Sequence, residues 1–320
     1  MKKFIKRLLI TTSIFALVAC NQNTNSSQTV SNQEKHKISL IAPEGTPSLA
    51  LANFYEDNKD SYTTFDIKSG SDPLLAAFTS ASYDVIVAPT NLGAKLYNEN
   101  KADYVLYQTI VWGNLYLVSS ENISSFTDIE NQELTIFGKN STPDIITRSL
   151  LNHYNLSDKV TLNYVDDVAT ANAALKTGKA KYIISAQPSL SKINANNTYS
   201  VIDLQNEWAK ISSSSSYPQA SIFFKSSLKG QIDDILEELT LSVTNTINNP
   251  SLSAERATTI NKTFETLGKE TLQTAIPHCH YGIEENQKDA IEYYFSAMNS
   301  LGLSKQYGEK LPDQDFYYTI

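Results

Sequence analysis

Basic residues are in short supply in this sequence, whose 320 residues include 26 Lys and Arg against 34 Asp and Glu. The net charge of −8 argues against nucleic acid or an anionic membrane surface as a partner, because both attract basic proteins. Arginine is especially rare, since only Arg148 and Arg256 follow residue 19. Because the planar guanidinium is the usual clamp for carboxylate, sulfonate or phosphate groups, its rarity disfavours a strongly anionic ligand.

Patterns typical of catalysis or metal binding are also lacking. No paired-carboxylate or Ser/His/Asp spacing stands out along the chain. The densest group of reactive side chains is His278-Cys279-His280, but two histidines with an opposed cysteine make a poor metal site. Asp166 and Asp167 are interpreted as a turn or a helix cap rather than an acid/base pair. The sequence therefore predicts no catalytic residue, no metal site and no cofactor.

The first nineteen residues form a segment apart from the rest. Four basic residues lie within the first seven, and the apolar run that follows is typical of a secretory signal peptide and too short to span a membrane. The segment ends in Leu17-Val18-Ala19-Cys20, which resembles the bacterial lipobox and implies cleavage before Cys20 and a lipid on its sulfur. Taking four basic residues from 26 leaves 22 against 34, a net charge of −12, so membrane attachment would depend on the lipid. With Cys20 modified, Cys279 is the only thiol, and no intrachain disulfide can form.

Residues 20–36 are polar and without periodicity, which predicts a flexible tether. After it, short apolar runs alternate with helical patterns, as in βαβ units with largely parallel sheets. The predicted strands form two groups: Lys37–Ala42, Thr64–Ile67 and Tyr83–Val87, then Leu134–Phe137, Val160–Tyr164 and Ala180–Ile184. We predict an α/β chain with two lobes, the first made of residues 37–119 and 223–320 and the second of residues 120–222.

Three turns that leave these strands share one pattern. Each places a polar residue directly before a proline at a helix start, as Thr46-Pro47, Asp72-Pro73 and Thr142-Pro143. We predict that Thr46, Asp72 and Thr142 are the N-cap residues. A helix N-terminus offers unpaired N–H groups and a partial positive charge, so such turns can contact a ligand. Each could also be an ordinary capped helix start, but three such turns over two groups of strands favour ligand contacts.

Several segments resemble the solute-binding lipoproteins of ABC importers, in the branch for nitrate, sulfonate and thiamine precursors. They are YDVIVAPTNLGAKLY (Tyr83–Tyr97), WGNLYLVS (Trp112–Ser119) and GKNSTPD (Gly138–Asp144), in addition to the lipobox leader. The resemblance implies a type II periplasmic-binding-protein fold: each lobe is a mostly parallel sheet flanked by helices, and two hinge segments join the lobes. It places these crossings near Tyr116–Ile123 and Gln219–Lys225, with the ligand in the cleft between the lobes.

The same resemblance implies which residues bind the ligand. The first lobe would contribute residues of three strand-end turns, namely Thr46, Pro47, Ser48, Ser69, Gly70, Ser71, Pro89, Thr90 and Asn91. Trp112 and Asn114 would line the hinge side. The second lobe would contribute Lys139, Asn140, Ser141, Thr142, Gln187 and Tyr217. Lys139 and the helix N-termini could hold a weak anion, while Trp112, Tyr217 and Phe137 could stack on a flat heteroaromatic solute or belong to the core.

These observations predict a monomeric, lipid-anchored protein on the extracytoplasmic face of a Gram-positive membrane. It would capture a small polar solute and deliver it to an ABC permease with its ATPase subunits, without a catalytic step. Two alternatives stay open. One is an enzyme on the same fold, similar to those of pyrimidine or menaquinone biosynthesis. The other is a sensory or adhesive lipoprotein without transport.

Overall fold

The structure, a computed structural model, describes residues 36–212, 216–284 and 286–320. The predicted signal peptide, the predicted lipidation site Cys20 and all but the last residue of the predicted tether lie outside the described residues. Within the described ranges, no helix combines the length and the apolar character that crossing a membrane requires.

The strands of the described chain divide between two sheets of five. They are β1 (Ile38–Pro43), β2 (Tyr62–Lys68), β3 (Val85–Pro89), β4 (Tyr104–Val111), β5 (Leu115–Ser119), β6 (Glu133–Phe137), β7 (Thr161–Val165), β8 (Tyr182–Ala186), β9 (Ser200–Asp203) and β10 (Ala220–Lys225). All six strands predicted from the sequence are present within two residues of their predicted bounds, and each predicted group lies in its own sheet. The predicted α/β fold with two lobes is confirmed.

Helices connect and flank the strands. They are α1 (Thr46–Ala50), α2 (Ala52–Asp57), α3 (Asp72–Ser80), α4 (Thr90–Asn98), α5 (Thr142–His153), α6 (Val168–Lys176), α7 (Ser189–Ile193), α8 (Leu204–Ala209), α9 (Asp233–Asn248), α10 (Pro250–Ile260), α11 (Lys262–Leu267), α12 (Lys269–Ala275) and α13 (Gln287–Ser300). The predicted N-caps were wrong by one residue. Thr46, Asp72 and Thr142 are the first helical residues, and Gly45, Ser71 and Ser141 precede them without a side-chain capping bond. The reason is the proline at the start of each helix, which fits the second helical position as well as the first.

The first sheet has the strand order β2-β1-β3-β10-β4. β1 pairs in parallel with β2 and β3, and β10 runs antiparallel to β3 and β4. β1 and β3 are largely buried, which explains why their sequences are continuous apolar runs. Helix α9 packs on one face through Ile235, Leu236, Leu239 and Val243, which recur at helical spacing.

The second sheet has the order β7-β6-β8-β5-β9. β6 pairs in parallel with β7 and β8, and β5 runs antiparallel to β8 and β9. One buried cluster contains side chains of both sheets, among them Ile86 and Phe223 of the first and Leu134 and Ile136 of the second. Tyr294 of α13 belongs to the same cluster, so α13 packs against both lobes.

Both crossings between the lobes come earlier in the chain than predicted. β4 ends at Val111 in the first sheet and β5 begins at Leu115 in the second, so the first crossing is 112–114 rather than Tyr116–Ile123. β10 lies entirely in the first sheet, so the return is complete by residue 219, where the Gln219 N–H donates to the Val111 carbonyl (2.9 Å). The predicted boundaries at 119 and 222 were therefore wrong. Residues 115–119 were assigned to the first lobe, but they form β5, which is fully buried and paired on both sides within the second sheet.

Candidate functional site

A cavity of about 360 Å³ lies between the two lobes, where strands β1 and β8 end. First-lobe elements and the crossings contribute Glu44, Gly45, Thr46, Pro47, Ser69, Asn114 and Gln219. The second lobe contributes Asp167, Val168, Ala169, Ala186, Gln187, Pro188 and Ser189. Helix α11 closes one side with Thr263, Phe264 and Leu267. Strand ends that meet helix starts are where open α/β sheets hold ligands, so the cavity is the candidate site.

Thr46 makes a direct contact between the two lobes at the cavity. Gly45 turns the chain out of β1 with φ +104°, a conformation that favours glycine, and so directs Thr46 toward the second lobe. The Thr46 hydroxyl donates to the Gln187 carbonyl (3.0 Å), and the Tyr281 hydroxyl donates to the Thr46 carbonyl (2.8 Å). Thr46 is only 2% exposed, so its bond to Gln187 is shielded from water.

The side-chain amide of Asn114 is oriented by Thr46. The Thr46 hydroxyl has one proton and gives it to the Gln187 carbonyl, so toward Asn114 it can only accept. The Asn114 Nδ2 group therefore faces Thr46, and Oδ1 faces away from it. Asn114 is 2% exposed, and Oδ1 has no hydrogen-bond partner. The backbone of Asn114 also joins the second lobe, because its carbonyl accepts from the Gln187 N–H (3.3 Å).

The wall from the second lobe consists of two helix starts. Gln187 follows β8, and its side-chain oxygen accepts from the Ser191 N–H (3.2 Å) and hydroxyl (2.9 Å), which fixes it over α7. Asp167 is the N-cap of α6 and accepts from the Thr170 N–H (2.8 Å). That hydrogen bond lowers the pKa of Asp167, so its carboxylate stays charged at neutral pH. The interpretation of Asp167 as a helix cap is confirmed.

The structure brings five of the predicted ligand-binding residues together in the cavity lining: Thr46, Pro47, Ser69, Asn114 and Gln187. Their role in ligand binding stays a prediction. The sequence reasoning missed Glu44, Gln219, Phe264 and the start of α6. The position of Asp167 could have been predicted, because an acidic pair directly after a predicted strand indicates a strand-end turn, and such turns line the cavity. No pattern in the sequence around α11 predicts that this helix packs beside the cavity, because its packing depends on distant parts of the chain.

A further turn of the first lobe, Pro89-Thr90-Asn91, bonds into the protein instead of lining the cavity. Thr90 shares a hydrogen bond with the Ser221 hydroxyl (2.8 Å) in β10. Asn91 donates to the Gln306 carbonyl (3.1 Å) of the C-terminal segment. Ser48 is also turned inward, with its hydroxyl on the Gly45 carbonyl (3.2 Å). Gly70 and Ser71 follow the lining residue Ser69 but do not join the lining.

The predicted opposite wall, Lys139 to Thr142, also lies outside the cavity lining. Thr142 accepts a hydrogen bond from the buried Tyr294 hydroxyl of α13 (3.1 Å). Lys139 lies 5.1 Å from the centre of the Tyr164 ring, and the Asn140 N–H and the Ser141 hydroxyl bond within their own turn. The prediction that Lys139 holds a weak anion in this cavity is therefore not supported by its position.

The predicted stacking aromatics are packed in the interior. Trp112 is 2% exposed, and its ring N–H donates to the Thr109 carbonyl (3.2 Å). Tyr217 is fully buried against Trp208, and its hydroxyl donates to Gln205. Phe137 is half-buried at the margin of the core. The alternative that these rings belong to the core fits their positions. Among the described residues that line the cavity, Phe264 is the only aromatic one.

The His278-Cys279-His280 segment packs against the first crossing. The His280 carbonyl accepts from the Trp112 N–H (2.8 Å), and the His280 ring lies 3.1 Å from the Asp203 carboxylate. Cys279 is buried, and burial raises the pKa of its thiol to about 12, which disfavours a nucleophilic thiolate. In the part of the chain that the structure describes, no group of three or more His, Cys, Asp and Glu side chains could hold a metal ion.

Comparison with known proteins extends the description of the fold. No protein-family model and no curated protein matches the chain. Among solved structures, an ABC transporter from Parabacteroides distasonis is similar, with 20% identity, a TM-score of 0.71, and coverage of 89% of this chain and 99% of that one.

Two other similar structures are binding proteins with stated ligands. The periplasmic aliphatic sulphonate-binding protein SsuA from Escherichia coli has 12% identity and a TM-score of 0.69, with 89% and 92% of the chains covered. The periplasmic nitrate-binding protein NrtA from Synechocystis PCC 6803 has 10% identity and a TM-score of 0.61, with 88% and 87% covered. The predicted resemblance to the nitrate and sulfonate branch is confirmed at the level of the fold: this chain has the fold of the periplasmic solute-binding proteins of ABC transporters.

Proposed function

We propose that the protein is the solute-binding protein of an ABC importer. It is a monomer held by a lipid on Cys20 at the extracytoplasmic face of the membrane, most simply in a Gram-positive cell. It captures a small polar solute between its lobes and delivers it to a permease with ATPase subunits. The observation that carries this proposal is the polar cavity between the two lobes, at the strand ends, in a fold shared with periplasmic binding proteins.

The contacts around the cavity support a mechanism of lobe closure. The Thr46–Gln187 hydrogen bond joins the lobes directly at the cavity wall, and the Asn114–Gln187 bond continues the β5–β8 pairing into the first crossing. The first crossing contains Gly113 and Asn114, whose φ values of +125° and +88° form a tight turn. A solute that contacts both walls would favour the closed arrangement, because only that arrangement satisfies both sets of contacts. The permease would then recognise the closed form.

The described residues do not favour the enzymatic alternative. The most reactive cluster, His278-Cys279-His280, lies against the crossing and does not line the cavity. Its cysteine is buried and protonated, and the His280 ring lies 3.1 Å from the Asp203 carboxylate. We therefore propose that the protein binds and releases its solute unchanged.

Tryptophan fluorescence tests the proposal, because Trp112 lies at the first crossing and should report lobe movement. A Trp208→Phe variant leaves Trp112 as the only tryptophan. We expect a panel of small metabolites to include one solute that shifts the Trp112 emission and raises the melting temperature. If no solute stabilises the protein across a broad panel, the proposal fails.

The lipid anchor has its own test. We expect the wild-type protein to incorporate labelled palmitate and to fractionate with membranes, whereas Cys20→Ala should be unlabelled and released. A membrane-bound Cys20→Ala protein would contradict attachment through this residue.

A further inference from the structure

We propose that Gln205, in the first turn of helix α8, is a positioning residue that sets how readily the two lobes separate. It is not among the described residues that line the cavity, and it acts by joining the two crossings to each other and to the first lobe. The inference rests on the binding function proposed above, in which lobe separation admits and releases the solute. Three observations carry it: the hydrogen bonds of the Gln205 side chain, the packing of the first crossing on it, and a contact between the lobes through Asp203.

The Gln205 side chain is buried and bonded at both of its polar atoms. The residue is only 2% exposed, although glutamine is mostly found at the surface. Its side-chain oxygen accepts from the Leu115 N–H (3.1 Å) and from the Tyr217 hydroxyl. Leu115 directly follows the first crossing, and Tyr217 belongs to the return segment 216–219, so one oxygen joins both connections between the lobes. Breaking these bonds would leave buried groups unpaired, which is costly.

The first crossing packs directly on the same side chain. Gly113 has a φ of +125° and belongs to the short turn that leads from the first sheet to the second. A Cβ atom at Gly113 would lie 2.2 Å from Gln205 Cγ, so only glycine allows the backbone to approach this closely. Rotation of the lobes about this short crossing therefore changes its contact with Gln205.

The two crossings also contact each other beside Gln205. The Ser216 hydroxyl donates to the Trp112 carbonyl. The Gln219 N–H donates to the Val111 carbonyl (2.9 Å). Two segments that are bonded to each other and to one buried side chain are expected to rotate together. Gln205 couples them from the side of the second lobe, because α8 directly follows β9 of the second sheet.

Asp203 extends these contacts to the first lobe. Its carboxylate accepts from the Gln205 side-chain amide (2.5 Å) and the Gln205 N–H (2.8 Å), and it lies 3.1 Å from the His280 ring. His280 belongs to the first lobe, because its neighbour Tyr281 forms a bridge with Val111 of β4. Burial opposes ionisation of Asp203, but the hydrogen bond with His280 lowers its pKa, so a charged acceptor faces Gln205. Asp203 thus joins the first lobe to Gln205.

All these contacts occur in the arrangement in which the Thr46 turn touches the Gln187 turn. Loss of the Gln205 bonds would leave the lobes held together by fewer contacts, so a larger fraction of molecules should have separated lobes. A solute that needs both walls binds only the joined arrangement, and its apparent affinity falls with the fraction of molecules in that arrangement. Gln205 therefore adjusts affinity from outside the cavity.

The separation of the lobes can be measured without any solute. Nitroxide labels at Thr64→Cys in the first lobe and Lys179→Cys in the second, both exposed positions of the full-length lipoprotein, give the distance distribution between the lobes by pulsed electron paramagnetic resonance. Cys279 does not compete for the label, because burial raises the pKa of its thiol to about 12.

The decisive variant is Gln205→Met, which keeps the length of the side chain and removes its hydrogen bonds. We expect the ratio of separated to joined lobes to rise about tenfold, the effect of one net hydrogen bond lost from the joined arrangement. An unchanged distance distribution in a folded Gln205→Met protein would overturn the inference.

Asn53→Leu is the matched control. Asn53 is a buried amide of the first lobe, whose side chain donates to the Thr246 hydroxyl (3.1 Å) and the Ser253 hydroxyl (2.9 Å). The variant should lose stability through its lost hydrogen bonds but keep the distance distribution of the wild-type protein. Equal shifts in Asn53→Leu and Gln205→Met would show that loss of any buried amide separates the lobes, and would overturn the inference.

Two milder variants keep the test valid if Gln205→Met does not fold. Tyr217→Phe removes one bond to Gln205. His280→Asn removes the ring beside Asp203 and keeps a residue type that tolerates the φ of +51° at this position. Each should shift the distances in the same direction by a smaller amount, and the inference fails if neither does. Separated lobes in these variants, together with a metabolite panel in which nothing binds the wild-type protein, would contradict the proposed function but support the role of Gln205 in lobe separation.

Discussion

Two helix starts with the same local sequence, Thr46-Pro47 and Thr142-Pro143, have different surroundings in the two lobes. Each threonine is the first residue of a helix that follows a strand, and each is buried. Thr46 lies in the cavity lining and bonds to Gln187 across the cleft, whereas Thr142 accepts from Tyr294 of α13. The local pattern makes a helix start, but the element that packs against it decides whether a ligand can reach it.

The two partners explain the difference physically. Gln187 belongs to a strand-end turn, where a hydrogen bond between lobes can open and close with the crossing. Tyr294 belongs to α13 and is fully buried, in edge contact with Trp208 at 6.3 Å between ring centroids. Exposing that aromatic cluster would cost far more than one hydrogen bond. The Thr142 turn is therefore part of the permanent core, and the Thr46 turn is part of a contact that can be broken.

The largest expected effect comes from breaking the connection between the lobes at Gly113. A Cβ atom there would lie 2.2 Å from the Gln205 side chain, at a φ of +125°. Gly113→Ala should lower the free energy of unfolding by about 2–5 kcal/mol, from strain and steric overlap together. Gly178→Ala is the control, because its φ of +71° is strained but the space around it is open. Urea unfolding should show a clearly smaller loss for Gly178→Ala; equal losses would mean that the crossing is not tightly packed.

A pair of threonine variants tests the comparison itself. Thr46→Val should weaken solute binding roughly tenfold, because it removes the bond that joins the lobes in the closed form. Thr142→Val should leave affinity unchanged and lower stability by about 1 kcal/mol, because the buried Tyr294 hydroxyl loses its acceptor. Isothermal titration calorimetry and thermal unfolding of both variants separate the two roles. Loss of affinity in Thr142→Val alone would reverse the assignment of the two turns.

Acid should affect the stability of the two lobes differently. Burial opposes ionisation of Asp84, but hydrogen bonds from Lys225 (2.9 Å) and the Ser39 N–H (2.9 Å) lower its pKa. The pKa of Asp167 is lowered by hydrogen bonds from the Thr170 N–H, the Thr170 side chain and the Ala169 N–H. Both carboxylates therefore stabilise the fold fully above about pH 4, and this contribution is lost as the pH falls through their folded-state pKa values.

Removing each carboxylate should reveal its share of that acid sensitivity. Asp84→Asn should destabilise the protein at pH 7 by about 1–3 kcal/mol, because two strands lose a charged hydrogen-bond partner, and should reduce the further loss below pH 4. Asp167→Asn should change both quantities much less, since asparagine also caps a helix. Chemical unfolding measured between pH 3 and pH 7 checks this order. A larger change in Asp167→Asn would contradict it.

The strands and their division into two sheets can be predicted from the sequence because the buried parallel strands are continuous apolar runs. Such runs are visible from neighbouring residues alone. Thr46, Ser69, Asn114 and Gln187, which the family resemblance implies as ligand-binding residues, lie beside the cavity, and their role in binding stays a prediction. Prediction from the sequence fails where the outcome depends on distant segments. The covering of Thr142 by α13, the approach of α11 and the burial of Tyr217 all come from residues far away in the chain.

The position of the first crossing also depends on distant segments of the chain. Leu115–Ser119 is apolar and extended, which fits a connecting segment as well as a central strand. Only its pairing with β8 and β9 shows that the segment belongs to the second sheet. The local signal for the true crossing was the pair Gly113-Asn114, since both residues tolerate the positive φ that a tight turn needs.

A crystal structure of the full-length protein purified with its natural solute tests the central claim most directly. We predict solute density in the cavity between the Thr46 turn and the Gln187 turn. Density at the Thr142 turn, or in the surface depression beside Arg148 and Leu301 of similar volume, would contradict the assignment of the binding site to the cavity between the lobes.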